Sequence, residues 1–256
     1  MPSRASAPVI PTRSTAALSR RKTSSLAGRA YLQIREKILK GDLPVGDVIS
    51  RRKLAAELHI SVPPVTEALQ QLEAEGLLES KPRVGTRVRV PTPQEIEDRC
   101  LVREALESQA ARLFAERATM EEKKALRQMG RRVDQLYACC EAQTVDRGFL
   151  FSANTYHMKL HLRIAECGRC AALHDAIEKE QVLVFNWLYD TAVERRTLAS
   201  DHHVRLTDAL ARGTADQAEA AMRRHIRVGL QEVLAKLDGL KLPERGWRVK
   251  RKDGVK

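Results

Sequence analysis

RRKLAAELHISVPPVTEALQQLEAEGLLESKPRVGTRVRV, residues 51–90, reads as helix, tight turn, helix and β-hairpin. Leu54, Ala55 and Leu58 share one face of the first helix. Val65, Ala68, Leu69 and Leu72 recur at helical spacing in the second, so each helix has a single apolar stripe. Ser61 is placed to cap the second helix, with Pro63 and Pro64 in its first turn, where a missing N–H is tolerated. Gly76, one residue beyond Glu75, stops that helix. Leu78 and Ser80 then lie on one strand, Val84-Gly85 forms the tip, and Arg87, Val88, Arg89 and Val90 follow on the other. Two short helices followed by a basic hairpin predict a winged helix-turn-helix. The second helix is expected in the DNA major groove, with the hairpin arginines on phosphate or in the minor groove.

Outward from this stretch, the pattern Leu54-Ala55, Ser61-x-x-Pro64-Val65-x-Glu67-Ala68-Leu69, Leu72-Glu73-x-Glu75-Gly76-Leu77 and Gly85 resembles the DNA-binding domain of GntR-type bacterial transcription regulators. The resemblance runs from about Ala30 to Val90. Arg52 matches an arginine that touches DNA in that family. With Ser61, Val62, Pro63 and Thr66 on the second helix, and Arg83, Gly85 and Arg87 in the hairpin, it completes the expected DNA-contacting set. The family usually has arginine where this chain has Val62 and Thr66. Val62 offers only apolar contact, for instance to a thymine methyl, and Thr66 a single hydroxyl. The family's usual operator therefore does not carry over.

The 256 residues leave room for a second, larger domain. The net charge of +12 favours a polyanionic partner, and its distribution is uneven. Residues 1–26 carry five basic and no acidic residues, 27–92 eleven and eight, and 240–256 seven and two, so the middle of the chain is nearly neutral. Basic ends around a neutral body suit a DNA-bound protein whose second domain handles something else. Residues 1–26 read as a disordered basic arm, 27–91 as the winged domain, 92–239 as a helical ligand-binding and dimerisation domain, and 240–256 as a basic tail. No apolar run has the length of a membrane span, and no signal-peptide core opens the chain. Five cysteines, an odd number, suit reduced thiols in a cytoplasmic protein. Cys167-Gly168-Arg169-Cys170 is an isolated CxxC, and Cys139-Cys140 reads as buried thiols.

Before the helix-turn-helix, Tyr31–Leu39 is a helix and Gly41–Gly46 a turn. After the hairpin the pattern is wholly helical, predicting an antiparallel bundle of about six helices and a mainly α protein. Thr92-Pro93-Gln94-Glu95 and Thr119 to Glu122 are capping boxes, and Thr214-Ala215-Asp216-Gln217 caps the last helix. Val102, Leu106, Ala110 and Leu113 read as the inward stripe of the first bundle helix. Leu126, Met129, Val133 and Leu136 read as that of the second. A third helix is expected over about Asp146 to Glu166, and a fourth over about Ala171 to Arg195, with Leu173, Ile177, Val184 and Leu188 inward. A fifth is expected near Ala199 to Ala211, and a sixth runs to about Leu237.

Six of the seven histidines fall in this helical region. His157 and His161, four apart, share a face with Leu150, Ala153 and Ile164. His203 lies with Leu206 and Leu210, and His225 with Ala221 and Val228. Four inward imidazoles can converge on one divalent cation, zinc or nickel by ligand type, or be separately satisfied; His174 and His202 read as the latter. The pattern Leu160-His161-x-x-Ile164, His203-x-x-Leu206-x-x-Ala209-Leu210-x-x-Gly213, Ala218 and His225-Ile226, with Arg103-x-x-Leu106-Glu107, is similar to the ligand-binding domain of the FadR subgroup of GntR regulators. Many members of that subgroup hold a metal with one Asp or Asn and three His; here His157 takes the acid's place, four residues before His161. The resemblance implies a metal at His157, His161, His203 and His225, its double charge unneutralised by a ligand. Arg103 is then a second cation, and the two invite a small organic-acid effector.

The expected protein is a metabolite-responsive regulator, a homodimer that binds a double-stranded operator and has no catalytic role. A metalloenzyme fused to a DNA module lacks a general base placed beside the histidines. A non-specific architectural DNA binder fits the basic ends, and predicts no sequence preference at physiological salt.

Overall fold

The computed structural model describes residues 25–142, 147–180 and 199–237. The basic arm, except for Ser25 and Leu26, and the basic tail lie outside the described residues, as do Val184 and Leu188. Helix α1 (Leu26–Leu39) begins five residues before Tyr31, because the Ser25 hydroxyl accepts from the Gly28 N–H (2.9 Å) and closes its first turn. Strand β1 (Val48–Ile49) follows, then α2 (Arg51–Glu57) and α3 (Val62–Ala74). Leu54, Ala55, Val65, Ala68, Leu69 and Leu72 are all buried, as their spacing requires. Strands β2 (Leu78–Lys81) and β3 (Gly85–Val88) form the expected hairpin.

The sheet has three strands, ordered β1-β3-β2, because Val48 pairs with Arg87 and Ile49 with Thr86. A two-residue strand has no periodicity to read, and its partner is almost forty residues away. The winged unit closes over Ile34, Ile38, Leu69, Leu72, Leu77 and Val88, each at most 2% exposed.

The bundle comprises α4 (Pro93–Arg117), α5 (Met120–Ala142), α6 (Arg147–Cys167), a helical stretch α7 over 171–180, α8 (His202–Arg212) and α9 (Ala215–Leu237). Both capping boxes form: Thr92 Oγ1 accepts from Glu95 N (2.9 Å), and Thr119 Oγ1 from Glu122 N (3.2 Å). Helix α9 runs against α4 and α8, α5 against α6 and α8, and α6 against α4. Phe114, Leu126, Leu160, Ile164 and Ile177 lie at the centre of their shared core. None of the described helices is long and apolar enough to cross a membrane.

The phase of α4 differs from expectation. Its buried face is Ile96, Cys100, Glu104, Glu107, Ser108, Ala110, Ala111 and Phe114, whereas Val102 is 43% and Leu101 64% exposed. Two glutamates hold inward positions, so a stripe drawn through apolar residues alone was rotated off the core.

Candidate functional sites

The outer face of α3 carries Ser61, Val62 and Pro63, all exposed, with Thr66 half-buried behind them. Ser61 has cap geometry, but its hydroxyl makes no cap hydrogen bond. The cause is covalent: a cap oxygen accepts from the second or third helical N–H, and here those residues are Pro63 and Pro64. The Thr66 hydroxyl donates to the Val62 carbonyl (3.1 Å). Arg52 is exposed in the first turn of α2. Its neighbour Arg51 donates to Thr86 Oγ1 (3.3 Å) and ties α2 to the wing. Arg83 is exposed in the turn between β2 and β3 at φ 63°, and Gly85 has φ 135°, which side-chain-bearing residues rarely adopt.

Arg87 departs from the expected set. It occupies the central strand, is 5% exposed, and its Nε donates to Glu79 Oε1 (2.6 Å) on the neighbouring strand. This arginine is buried within the wing, not presented to solvent. Alternation along an isolated hairpin could not show it, because β1 was not foreseen.

In the bundle the four expected histidines come together. His157 and His161 replace apolar residues in the α6 stripe of Leu150, Ala153, Leu160 and Ile164, so both rings point inward. His203 enters from the first turn of α8 and His225 from α9. His157 Nε2 lies 2.9 Å from His161 Nε2 and 3.1 Å from His203 Nε2, and His225 Nε2 lies 3.2 Å from His161 Nε2. His157, His203 and His225 also offer nitrogens mutually within 4.8 Å. His161, His203 and His225 are 3%, 1% and 7% exposed.

The opposite nitrogens fix the chemistry. His161 Nδ1 meets Glu107 Oε2, and His203 Nδ1 meets Asp134 Oδ1 (2.6 Å). The Tyr137 hydroxyl donates its one proton to Asn154 Oδ1 (2.8 Å), so at 3.1 Å it can only accept from His157 Nδ1. All three Nδ1 atoms therefore carry hydrogen, and in the neutral rings the three Nε2 lone pairs face one another. Such lone pairs repel at 2.9–3.1 Å unless a cation or a shared proton lies between them. Ligand bonds of about 2.1 Å give nitrogen–nitrogen separations of about 3.0 Å for cis octahedral and about 3.4 Å for tetrahedral positions. The observed spacing fits a small divalent ion. Among the described residues the buried His225 Nδ1 has no hydrogen-bond partner. Burial, with His161 and His203 beside it, holds its pKa well below the usual histidine value, so the ring is neutral and keeps one nitrogen lone pair.

Three groups in this shell were missed or misread from sequence. Asp134 accepts from the His203 ring, from His203 N (3.1 Å) and from Val204 N (2.9 Å), so one carboxylate orients the ring and caps α8. Tyr137 was not singled out. His202, expected to stand apart, stacks on His225 with ring centroids 4.6 Å apart. His174 does stand apart, 3.4 Å from Asp175.

Arg103 is also not an isolated second cation. Its Nε donates to Glu107 Oε1 (2.8 Å), one helical turn along α4, giving the chain Arg103–Glu107–His161. Burial alone would push Glu107 up, but Arg103 and His161 outweigh it and hold the carboxyl at about 2. Glu107 and Asp134 thus put two negative charges behind the histidines. The expectation of an unneutralised double charge is corrected to a partly compensated one.

Comparison with known proteins agrees with both units. Residues 26–88 match the profile of the bacterial regulatory proteins of the gntR family, and residues 98–228 that of the FCD domain. The chain is 30% identical over 199 residues to a probable D-xylose utilization operon transcriptional repressor of Paenarthrobacter nicotinovorans, covering 74% of this chain and 80% of the relative. It is 26% identical over 196 residues to the Nta operon transcriptional regulator of Aminobacter aminovorans, covering 76% and 88%. Among solved structures, a transcriptional regulator GntR from Rhodococcus sp. RHA1 shares the fold with a TM-score of 0.68 at 18% identity, over 82% of this chain and 97% of that one. E. coli McbR/YncC does so with a TM-score of 0.66 at 18% identity, over 83% and 99%. With a winged unit at its N-terminal end and an FCD domain following it, the chain belongs to the GntR family of bacterial regulatory proteins.

Proposed function

We propose that this regulator is a cytoplasmic, homodimeric repressor whose helical domain binds a small carboxylate beside a zinc- or nickel-class ion. The observation that carries the ligand reading is the set of three Nδ1-donating histidines with converging Nε2 atoms. That arrangement is costly by itself and relieved by a divalent cation. His157, His161, His203 and His225 would hold the ion, which would supply a positive centre for an anionic effector.

Arg103 supplies the second contact. Among the described residues only Glu107 is hydrogen-bonded to it, through Nε, which leaves the outer edge of the guanidinium fork for a carboxylate. Two compensating carboxylates weaken the attraction to an anion without reversing it, since a dication and Arg103 outnumber them. The same two carboxylates are engaged by imidazole N–H groups, which favours a sensor over a hydrolytic enzyme. Effector binding shifts the population of winged-unit arrangements and so the affinity for a two-half-site operator, which a two-fold protein matches.

Untagged protein is expected to carry about one such ion per chain, and its operator complex to weaken with some members of a carboxylate panel only when metal is present. Protein that is metal-free as purified and after incubation with zinc or nickel overturns the metal reading. Operator affinity indifferent to every carboxylate in both states overturns the effector reading.

A further inference from the structure

A helix in the major groove discriminates bases by what its outward face offers them. Helix α3, VPPVTEALQQLEA, contains neither lysine nor arginine, so it has no fork for guanine O6 and N7. Beyond the exposed Ser61 hydroxyl at the cap, the first turn offers few donors. Pro63 and Pro64 have no N–H, and the Thr66 hydroxyl is directed at the Val62 carbonyl. Val62 is 38% exposed, a large fraction for a valine in a folded domain, and Pro63 is exposed beside it. The result is a small hydrocarbon patch at the leading end of the helix. Arg52 and Lys53 on α2 and Arg83 in the wing are exposed and supply the attraction to phosphate.

We infer that this patch reads thymine through its 5-methyl group, which makes Val62, Pro63 and Thr66 the specificity-determining residues of the protein. The inference rests on the DNA-binding reading and deepens it. Thymine alone among the DNA bases places a methyl group in the major groove, and hydrocarbon is what this helix end has to offer it. Burying one methyl is worth about fourfold in affinity, so the preference is modest per contact and accumulates over contacts. Sequence preference is thus retained without arginines on the helix, which separates this reading from purely electrostatic binding.

The test uses the full chain. Its preferred site is selected from random duplexes, and duplexes are then made with each dT replaced in turn by deoxyuridine, which lacks only the methyl. Fluorescence anisotropy at one fixed salt concentration is expected to show about fourfold weaker binding at one or two positions. In Val62→Ala, an exposed position that leaves the core intact, at least one of those positions should lose its sensitivity. Equal affinity for every deoxyuridine duplex overturns the inference, as does a sensitivity that persists unchanged in both Val62→Ala and Thr66→Ser. A selection that enriches no sequence overturns the regulator reading beneath it instead.

Discussion

Replacing Tyr137 by phenylalanine removes one oxygen and leaves the ring packed. That oxygen directs its proton to Asn154 and therefore holds His157 in the Nδ1–H form. Without it the His157 N–H loses a neutral hydrogen bond, and the ring is free to take the other tautomer, which turns a proton toward the centre. A lost hydrogen bond with a buried partner left unsatisfied costs about 1–3 kcal/mol. His157 is half-buried, so water partly replaces the hydroxyl. That places the expected loss near the low end, about 1.4 kcal/mol or tenfold in metal affinity. Competition with a chromophoric chelator measures this directly, and the metal-dependent rise in melting temperature should shrink in parallel. The double variant Tyr137→Phe with His157→Asp is the control, because a carboxylate has no tautomer to hold. In the His157→Asp background the Tyr137→Phe penalty should fall below about threefold. Equal zinc affinity of wild type and Tyr137→Phe, with wild type binding zinc, refutes the role given to Tyr137.

Arg87→Ala should destabilise the winged unit by about 1–2 kcal/mol through loss of its pair with Glu79 and so lower its melting temperature, whereas Arg52→Ala should weaken operator binding at fixed salt with no thermal shift. Gly130→Ala and Gly229→Ala are the same change in two helices with opposite expected signs. A Cβ at Gly130 would clash with the Thr207 side chain and meet the His203 carbonyl at 2.9 Å, so it should cost about 1–3 kcal/mol and weaken metal binding, while one at Gly229 meets nothing within 4 Å and should stabilise by about 0.5–1 kcal/mol. Burial pushes the Cys167 thiol up to about 11, with Glu122 and Glu166 adding to it against Arg163. Mass-spectrometric mapping after brief alkylation near neutral pH should therefore find Cys139, which is exposed, labelled well before Cys167.

What the sequence disclosed and what it hid divide along a physical line. The helix-turn-helix and the four histidines were legible because each expressed a short periodicity: Val65, Ala68, Leu69 and Leu72 on one helix, and His157 four before His161 on another. His203 was legible for the same reason, since Leu206 and Leu210 on its face turn inward; for His225 only Ala221 does, Val228 being 42% exposed. Glu107 and Asp134 broke the rule from the other side. A buried carboxylate reads as surface in any count of apolar residues, and on α4 that displaced the whole inward stripe. Its partners lie far off in sequence, His161 being 54 residues from Glu107 and His203 69 from Asp134. The same distance hid β1 and with it the burial of Arg87.

Gly130 shows how that hidden layer is built. A glycine inside a helix costs about 1 kcal/mol relative to alanine, so its presence within α5 needs a cause. The close approach of the His203 carbonyl and Thr207 of α8 provides one. Gly130 lets α8 come near enough for Asp134, one turn further along α5, to cap α8 and hold the His203 ring with the same carboxylate. The histidine pattern places the ligands on their helices. The geometry that turns their Nε2 atoms toward one point comes from residues whose own neighbours in sequence give no sign of it.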